Sequence, residues 1–203
     1  MKLPISVEEA RRLYGNGDAA HAFDHVMRVY HLVERIGRAE GANMRVLLTA
    51  ALLHDIARDE PDHHLRGAAR ARELLQGEPA DFVEAVVHCI EAHRFRKGPA
   101  PETLEARILQ DADKLDAIGA IGVARTFAHA GHHGSRLWSP LEEVASSPRP
   151  EGTDYTPVHE FWYKLRHLAG QLHTETARTI ARERHAFMEA FFRRLDEECQ
   201  GRA

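Results

Sequence analysis

The chain has 203 residues, of which 43% are hydrophobic, and a formal net charge of −4. This length predicts one domain, and the hydrophobic content allows a sizeable core. The acidic balance argues against a protein that binds duplex nucleic acid. No segment approaches the roughly 20 consecutive apolar residues that a membrane-spanning helix needs.

Cysteine and histidine usage narrows the class of protein further. The two cysteines, Cys89 and Cys199, form no CxxC pair, and the N-terminal residues lack the apolar run of a signal peptide. We therefore expect a protein of the reducing cytoplasm. Fifteen residues are histidine, and their clustering near aspartates favours metal binding over a polar surface.

In chain order, almost every segment has the apolar spacing of a helix. Ser6 and Glu9 form a capping box that predicts a short first helix. Asn43 is placed to cap a later one. No segment alternates apolar and polar residues over a useful length, so the sequence predicts an all-α fold. The other helices are predicted at 18–38, 61–75, 79–93, 103–130, 158–173 and 174–198.

The helix that follows Asn43 is unusual because residues 46–53 are apolar on every side. A helix of this composition is buried. It ends in the dipeptide His54-Asp55, so we expect the core to deliver these two side chains to a cavity, where both can reach a single ion.

Two further residues extend this dipeptide to a candidate metal site. His25 stands in a Phe-Asp-His context, and Asp113 follows an apolar helical run. Imidazole and carboxylate ligands from separate helices suit Mn, Fe, Co, Zn or Mg. Asp111 and Asp113 lie roughly 200° apart around a helix axis, so only one of them can face the ion. We predict Asp113, with Asp111 as the alternative.

These residues match the H…HD…D signature of the HD-domain superfamily of metal-dependent phosphohydrolases, which the chain resembles from about residue 18 to 195. The run 108–123 resembles one subfamily of small bacterial HD hydrolases, as do residues 40–42, 93–94 and 164–178. Some members of that subfamily are similar to nucleoside-triphosphate pyrophosphohydrolases. The resemblance implies a helical bundle forming a single HD domain over 1–203, with a loop insertion at about 131–157 and two C-terminal helices.

The resemblance also implies roles for individual residues. The matching positions for metal ligands are His25, His54, Asp55 and Asp113. A second ion would take further histidines, and His63 (or His64) and His93 resemble the extra ligands of two-metal relatives, which leaves one or two ions per chain open. Some HD hydrolases have an acid three positions after the HD aspartate. Here that position holds Arg58, and Asp59 follows as the candidate proton-transfer group.

The implied reaction is hydrolysis of a nucleotide or a related phosphoester or phosphoanhydride by water that the metal activates. We expect Asp55 to help position that water. Candidate phosphate contacts are Lys114, Arg94, Arg96, Lys164 and His21. Two alternatives stay open: a metal- and nucleotide-binding sensory module without turnover, and a di-iron oxygenase. The oligomeric state is open between a monomer and a homodimer.

The segment 131–157 is longer, at about 27 residues, than most plain connections, which suggests a lid or binding loop. Trp138 within it offers a flat surface on which a base could stack. The alternative is that Trp138 packs on the domain or at a dimer contact.

Overall fold

A computed structural model describes residues 2–14, 23–95 and 98–203, and within these ranges it contains helices and turns but no strand. The all-α prediction is confirmed. No helix in the described ranges is long and apolar enough to cross a membrane. The helices are α1 Val7–Leu13, α2 Phe23–Glu40, α3 Met44–Leu53, α4 His63–Leu74, α5 Ala80–Ala92, α6 Leu104–Asp116, α7 Gly119–His132, α8 Leu141–Ser146, α9 Pro157–Glu160, α10 Arg166–Leu168 and α11 Glu175–Cys199.

The chain divides into two compact units, 1–113 and 114–203, and the boundary falls inside α6. The first unit is organised around α3, whose residues from Val46 to Leu53 are all buried. Helices α2 and α5 both pack against it. The Asn43 side chain accepts hydrogen bonds from the backbone N–H of Arg45 and Val46, so the predicted cap is confirmed. The predicted buried helix is therefore the centre of this unit.

The second unit is organised around the long helix α11, which packs against α7. Phe192 of α11 is fully buried and stacks on Phe161, with ring centroids 4.5 Å apart. Further along α11, the Asp196 carboxylate accepts hydrogen bonds from the Trp138 indole N–H and from the Leu141 backbone N–H. These bonds tie the start of α8 to α11 within this unit.

The C-terminal half differs from the sequence prediction at 103–130 and at 131–157. The predicted helix 158–173 also changes to a π-helix at Phe161–Leu165 and to a 3-10 turn at Ala169–Gln171. The helix predicted at 103–130 is broken into α6 and α7, because Gly119 adopts a left-handed φ of 79°. The segment 131–157 is not a continuous loop: α7 runs to His132, α8 spans Leu141–Ser146, and a 3-10 turn covers Gly152–Asp154. The Gly, Pro and Ser residues of this segment predict a loop, although a short helical run lies between them.

Gly119 is held by its surroundings as well as by its φ angle. A Cβ atom added there would lie 2.9 Å from Cγ of Arg184. The Arg184 guanidinium donates to the Leu115 carbonyl oxygen, so its side chain is not free to move away. Both the backbone conformation and the close approach at the α6–α7 break therefore require glycine.

We expect Gly119→Ala to destabilise the protein more than Gly134→Ala, which provides the matched control. Gly134 also has a positive φ, but a Cβ there would meet no atom within 4 Å. A left-handed backbone costs a non-glycine residue about 1–2 kcal/mol, and crowding adds about 1 kcal/mol or more at Gly119 alone. Urea unfolding followed by circular dichroism measures both; equal losses would contradict the role of Arg184.

Candidate metal centre

The Asp55 carboxylate lies at the centre of a cluster of nitrogen-bearing side chains in the first unit. Asp55 is only 3% exposed. Its two oxygens face different neighbours. Around Oδ2 lie the Arg58 guanidinium, Nε2 of His25 at 3.6 Å and Nε2 of His54 at 3.7 Å, and around Oδ1 lie Nε2 of His93 at 3.5 Å and Nε2 of His63 at 3.8 Å.

Two of these histidines end a helix in the same way. His54 follows α3, and its Nδ1 lies 2.8 Å from the carbonyl oxygen of Ala51. His93 follows α5, and its Nδ1 lies 2.6 Å from the carbonyl oxygen of Ile90. The last carbonyls of a helix lack partners within it. Each ring therefore caps its own helix and directs Nε2 toward Asp55.

These hydrogen bonds determine which ring nitrogen carries the proton. A carbonyl oxygen only accepts, so Nδ1 of His54 is the donor, and in the neutral ring Nε2 then presents a lone pair. Burial lowers the pKa of His54 to about 4, against the opposing charge of Asp55. His54 is therefore neutral at pH 7, which is the form of histidine that binds metals.

The surroundings of His25 test whether a cation fits. Its Nε2 lies 3.3 Å from Nε2 of His54, 3.4 Å from Oδ1 of Asp113 and 3.6 Å from Oδ2 of Asp55. A single N–H on His25 can donate to only one of these acceptors. A divalent cation would satisfy all of them at once, so the donor set fits the metal that the sequence predicts.

Both carboxylates of the cluster are held in the ionised form that metal binding requires. Burial alone would raise the pKa of Asp55, but its electrostatic interactions with His54, His93 and Arg58, together with a hydrogen bond from His93, outweigh burial and hold the pKa well below its usual range. Burial would also raise the pKa of Asp113. The hydrogen bond from His25 outweighs this effect and lowers the pKa to about 2.

The ligand atoms fall into two groups that share Asp55. The first ligand group contains His25, His54 and Asp55, and the second ligand group contains Asp55, His63 and His93. Within each group the ligand atoms lie within 4.8 Å of one another. The geometry favours His63 over the alternative His64, which belongs to neither group. The histidines of each group face a different oxygen of the Asp55 carboxylate, so this side chain is shared between the two groups.

The cluster is deep on one side and open on the other. The side chains of His54 and Asp55 are almost completely buried, whereas those of His63 and Asp113 are 19% and 25% exposed. Burial, and after it the charges of His93, Arg94 and Arg58, lower the pKa of His63 against the effect of Asp55. Two arginines therefore stand near the open side, where an anion would approach.

The remaining predicted residues lie in different settings. Asp59 is exposed, and its link to the cluster is electrostatic, through Arg58. Lys114 is buried, and its ammonium donates to the carbonyl oxygen of Gln171 within the second unit. Lys164 pairs with Glu160 in the same unit. His21 and Arg96 lie outside the described residues.

Two residues that we did not predict from the sequence support the helix ends next to the cluster. The Tyr14 hydroxyl donates to the carbonyl oxygen of Leu52, two residues before His54. The Gln110 side-chain amide donates to the carbonyl oxygen of Ala92, next to His93. Gln110 stands three residues before Asp113 on α6, a spacing that could have indicated its shared face. Tyr14 carries no comparable signal.

The chain is similar to known proteins over most of its length. A family model for the HD domain matches residues 22–118, a range that includes every member of the cluster. The uncharacterized protein YpgQ of Bacillus subtilis (strain 168) is 34% identical over 190 residues, which are 90% of this chain and 86% of that protein. The chain belongs to the HD-domain superfamily.

Solved structures of similar proteins share the fold along almost the whole chain. The crystal structure of Bacillus subtilis YpgQ in complex with ADP matches with a TM-score of 0.73 and 30% identity, over 95% of this chain and 92% of that one. An HD-superfamily hydrolase from Bacillus thuringiensis matches with a TM-score of 0.75 and 28% identity, over 96% and 94%. That the HD domain extends over all of 1–203 remains a prediction.

We expect the metal-free protein to take up two Mn²⁺ ions per chain, and His93→Ala to take up one, because His93 serves only the second ligand group. His88→Ala is the matched control: His88 is on the same helix, but its Nε2 accepts from the backbone N–H of Glu102. Isothermal titration and elemental analysis give the stoichiometry. One ion in the unaltered protein, unchanged by His93→Ala, would contradict the second group.

Proposed function

We propose that this protein is a metal-dependent phosphohydrolase that acts on a nucleotide or a related phosphoester or phosphoanhydride. The observation that carries the proposal is the buried Asp55 carboxylate, which presents separate oxygens to two groups of imidazoles. Membership of the HD-domain superfamily supports it. His25, His54, Asp55 and Asp113 would hold the first ion, and Asp55, His63 and His93 the second.

A divalent metal in this cluster would lower the pKa of water and polarise a phosphoryl oxygen. The residues of the chain supply the rest. The Nδ1–H groups of His54 and His93 are engaged by helix carbonyls, so the rings are fixed in orientation before any ligand arrives. Such preorganisation avoids the cost of ordering the site during the reaction.

Phosphate charge needs cationic partners, and the first unit offers them at the open side of the cluster. Arg94 follows His93 directly, its side chain is about one-third exposed, and its guanidinium lies 4.0 Å from Oδ1 of Asp62. Guanidinium groups match the geometry of phosphate oxygens and donate two parallel hydrogen bonds. We assign phosphate binding first to Arg94. The roles of Lys114, Lys164, Arg96 and His21 stay predictions.

Asp59 is the proposed proton-transfer group. It is exposed, and its charge interacts with the guanidinium of Arg58, which is paired with Asp55. A carboxylate in this position can take a proton from water or return one to the departing oxygen. Asp59→Asn would then lower turnover while leaving metal content unchanged.

The nucleotide part of the proposal rests on a relative. YpgQ of Bacillus subtilis, which shares the fold over most of both chains, has been crystallised in complex with ADP. A nucleoside diphosphate carries the phosphoanhydride bond and the negative charge that the cluster and Arg94 suit. We propose that this chain also binds nucleotides, in the cytoplasm.

We expect Asp55→Asn to lose the bound metal and to lower phosphate or pyrophosphate release by about a hundredfold or more, since removing even a residue that only orients a ligand costs about 10- to 100-fold. A panel of nucleoside mono-, di- and triphosphates and a generic phosphodiester, each with Mn²⁺, Mg²⁺, Fe²⁺, Co²⁺ or Zn²⁺, identifies the substrate class. Asp81→Asn, at the exposed start of α5, is the matched control.

The same assays separate the alternatives. Nucleotide binding that depends on the metal, without turnover of any substrate on the panel, would replace the hydrolase with a sensory module. An iron absorption band together with oxygen consumption would indicate a di-iron oxygenase. Unchanged hydrolysis by metal-depleted Asp55→Asn would rule out the proposed use of the cluster.

A further inference from the structure

Arg58 occupies the same carboxylate oxygen that the first ligand group uses. Its guanidinium forms an ion pair and a hydrogen bond with Oδ2 of Asp55. The Nε2 atoms of His25 and His54 also face Oδ2, at 3.6 and 3.7 Å. Arg58 thus places a permanent positive charge at the point where a cation held by this group would find its carboxylate ligand.

A guanidinium and a divalent cation repel each other when both contact the same carboxylate oxygen. Both are positively charged, and arginine stays protonated at every physiological pH. Their repulsion is strong at a few ångströms within a partly buried site, where water screens it weakly. A cation that binds Oδ2 must therefore share this oxygen at a cost or displace the guanidinium from it.

The Arg58 guanidinium has space to move away from Oδ2 of Asp55. The residue lies beyond the end of α3, and its side chain is 37% exposed, in contrast to the 4% of Asp55. The side chain is long and flexible, so its charged end can move into solvent while its aliphatic part stays in contact with the protein. Asp59, the next residue, is also exposed and supplies an attractive charge for the released guanidinium.

We propose that Arg58 is a built-in counter-ion of Asp55 that competes with the divalent cation for Oδ2 and so weakens metal binding at the group of His25, His54 and Asp55. This inference rests on the proposed function only in requiring that the cluster bind a cation. Arg58 is then a residue that sets metal affinity and, once displaced, stands with Arg94 at the open side of the cluster, available to an anionic phosphate.

The test measures metal affinity rather than activity. Mn²⁺ is titrated into the metal-free full-length protein, its Arg58→Gln and Arg58→Lys variants, and Arg38→Gln as the matched control. Arg38 forms an ordinary exposed ion pair with Glu34, far along α2 from the cluster in sequence. Removing the competing charge should tighten binding at this group about tenfold or more. Arg58→Lys keeps the charge and should stay within about threefold of the unaltered protein.

Measurement on the unaltered chain keeps the inference testable even if Arg58→Gln does not fold. Phenylglyoxal modifies accessible guanidinium groups, and peptide mass spectrometry reports the rate at each arginine. Release from Asp55 should make Arg58 react faster in saturating Mn²⁺ than in a chelator, while the rate at Arg38 stays constant. A slower or unchanged rate at Arg58 would overturn the proposal.

Failure of this inference is distinguishable from failure of the proposed function. If the unaltered protein binds Mn²⁺ but Arg58→Gln binds it equally or more weakly, Arg58 does not compete, and the metal site stands. If neither protein binds any divalent metal, the proposed function and the inference drawn from it are both overturned.

Discussion

The first unit is built around the buried negative charge of Asp55. An ionised carboxylate that is only 3% exposed costs several kcal/mol to bury, roughly, unless cations or hydrogen-bond donors compensate it. The compensation comes from separate parts of the chain: the beginning of α2, the end of α3, the beginning of α4 and the end of α5. Bringing these helix ends to one point is therefore a condition that the packing of the unit has to meet.

Two of the histidines that surround Asp55 also satisfy the hydrogen-bonding groups at helix ends. The terminal carbonyls of α3 and α5 need donors, and His54 and His93 provide them through Nδ1. The bond that satisfies the helix also selects the tautomer and directs Nε2 toward Asp55. Support from Tyr14 and Gln110 at neighbouring carbonyls extends this pattern. Fold and candidate site thus depend on common hydrogen bonds, and the ring orientation needs no ligand to establish it.

Not every residue near Asp55 is held by a helix end in this way. His54 and His93 are constrained by the helices that they cap, whereas Arg58 and Asp59 lie beyond the end of α3 and are exposed. Changes at these positions alter the charge near the cluster without disturbing its supports. Arg58, where an acid stands in some HD hydrolases, is a change of this kind.

The sequence predicted the features that depend on residues within one helix, and it missed features that depend on tertiary structure. The apolar run of α3 predicts burial because every face of one helix is visible in its own residues. The angle between Asp111 and Asp113 follows from helix geometry alone, and the structure places Asp113 beside His25. The break at Gly119 was missed because it depends on a left-handed backbone conformation, which the spacing of apolar residues along the segment does not encode.

By itself, the sequence determined that the chain is helical, that α3 is buried, and that His54 and Asp55 stand at its end. These properties depend on the spacing of residues within single helices. The tertiary structure decided that Asp55 serves two groups of imidazoles through separate oxygens, that His63 rather than His64 joins one of them, and that Arg58 shares an oxygen with the other. Distances of 3–4 Å between side chains on different helices depend on how those helices pack, and no periodicity within one segment encodes them.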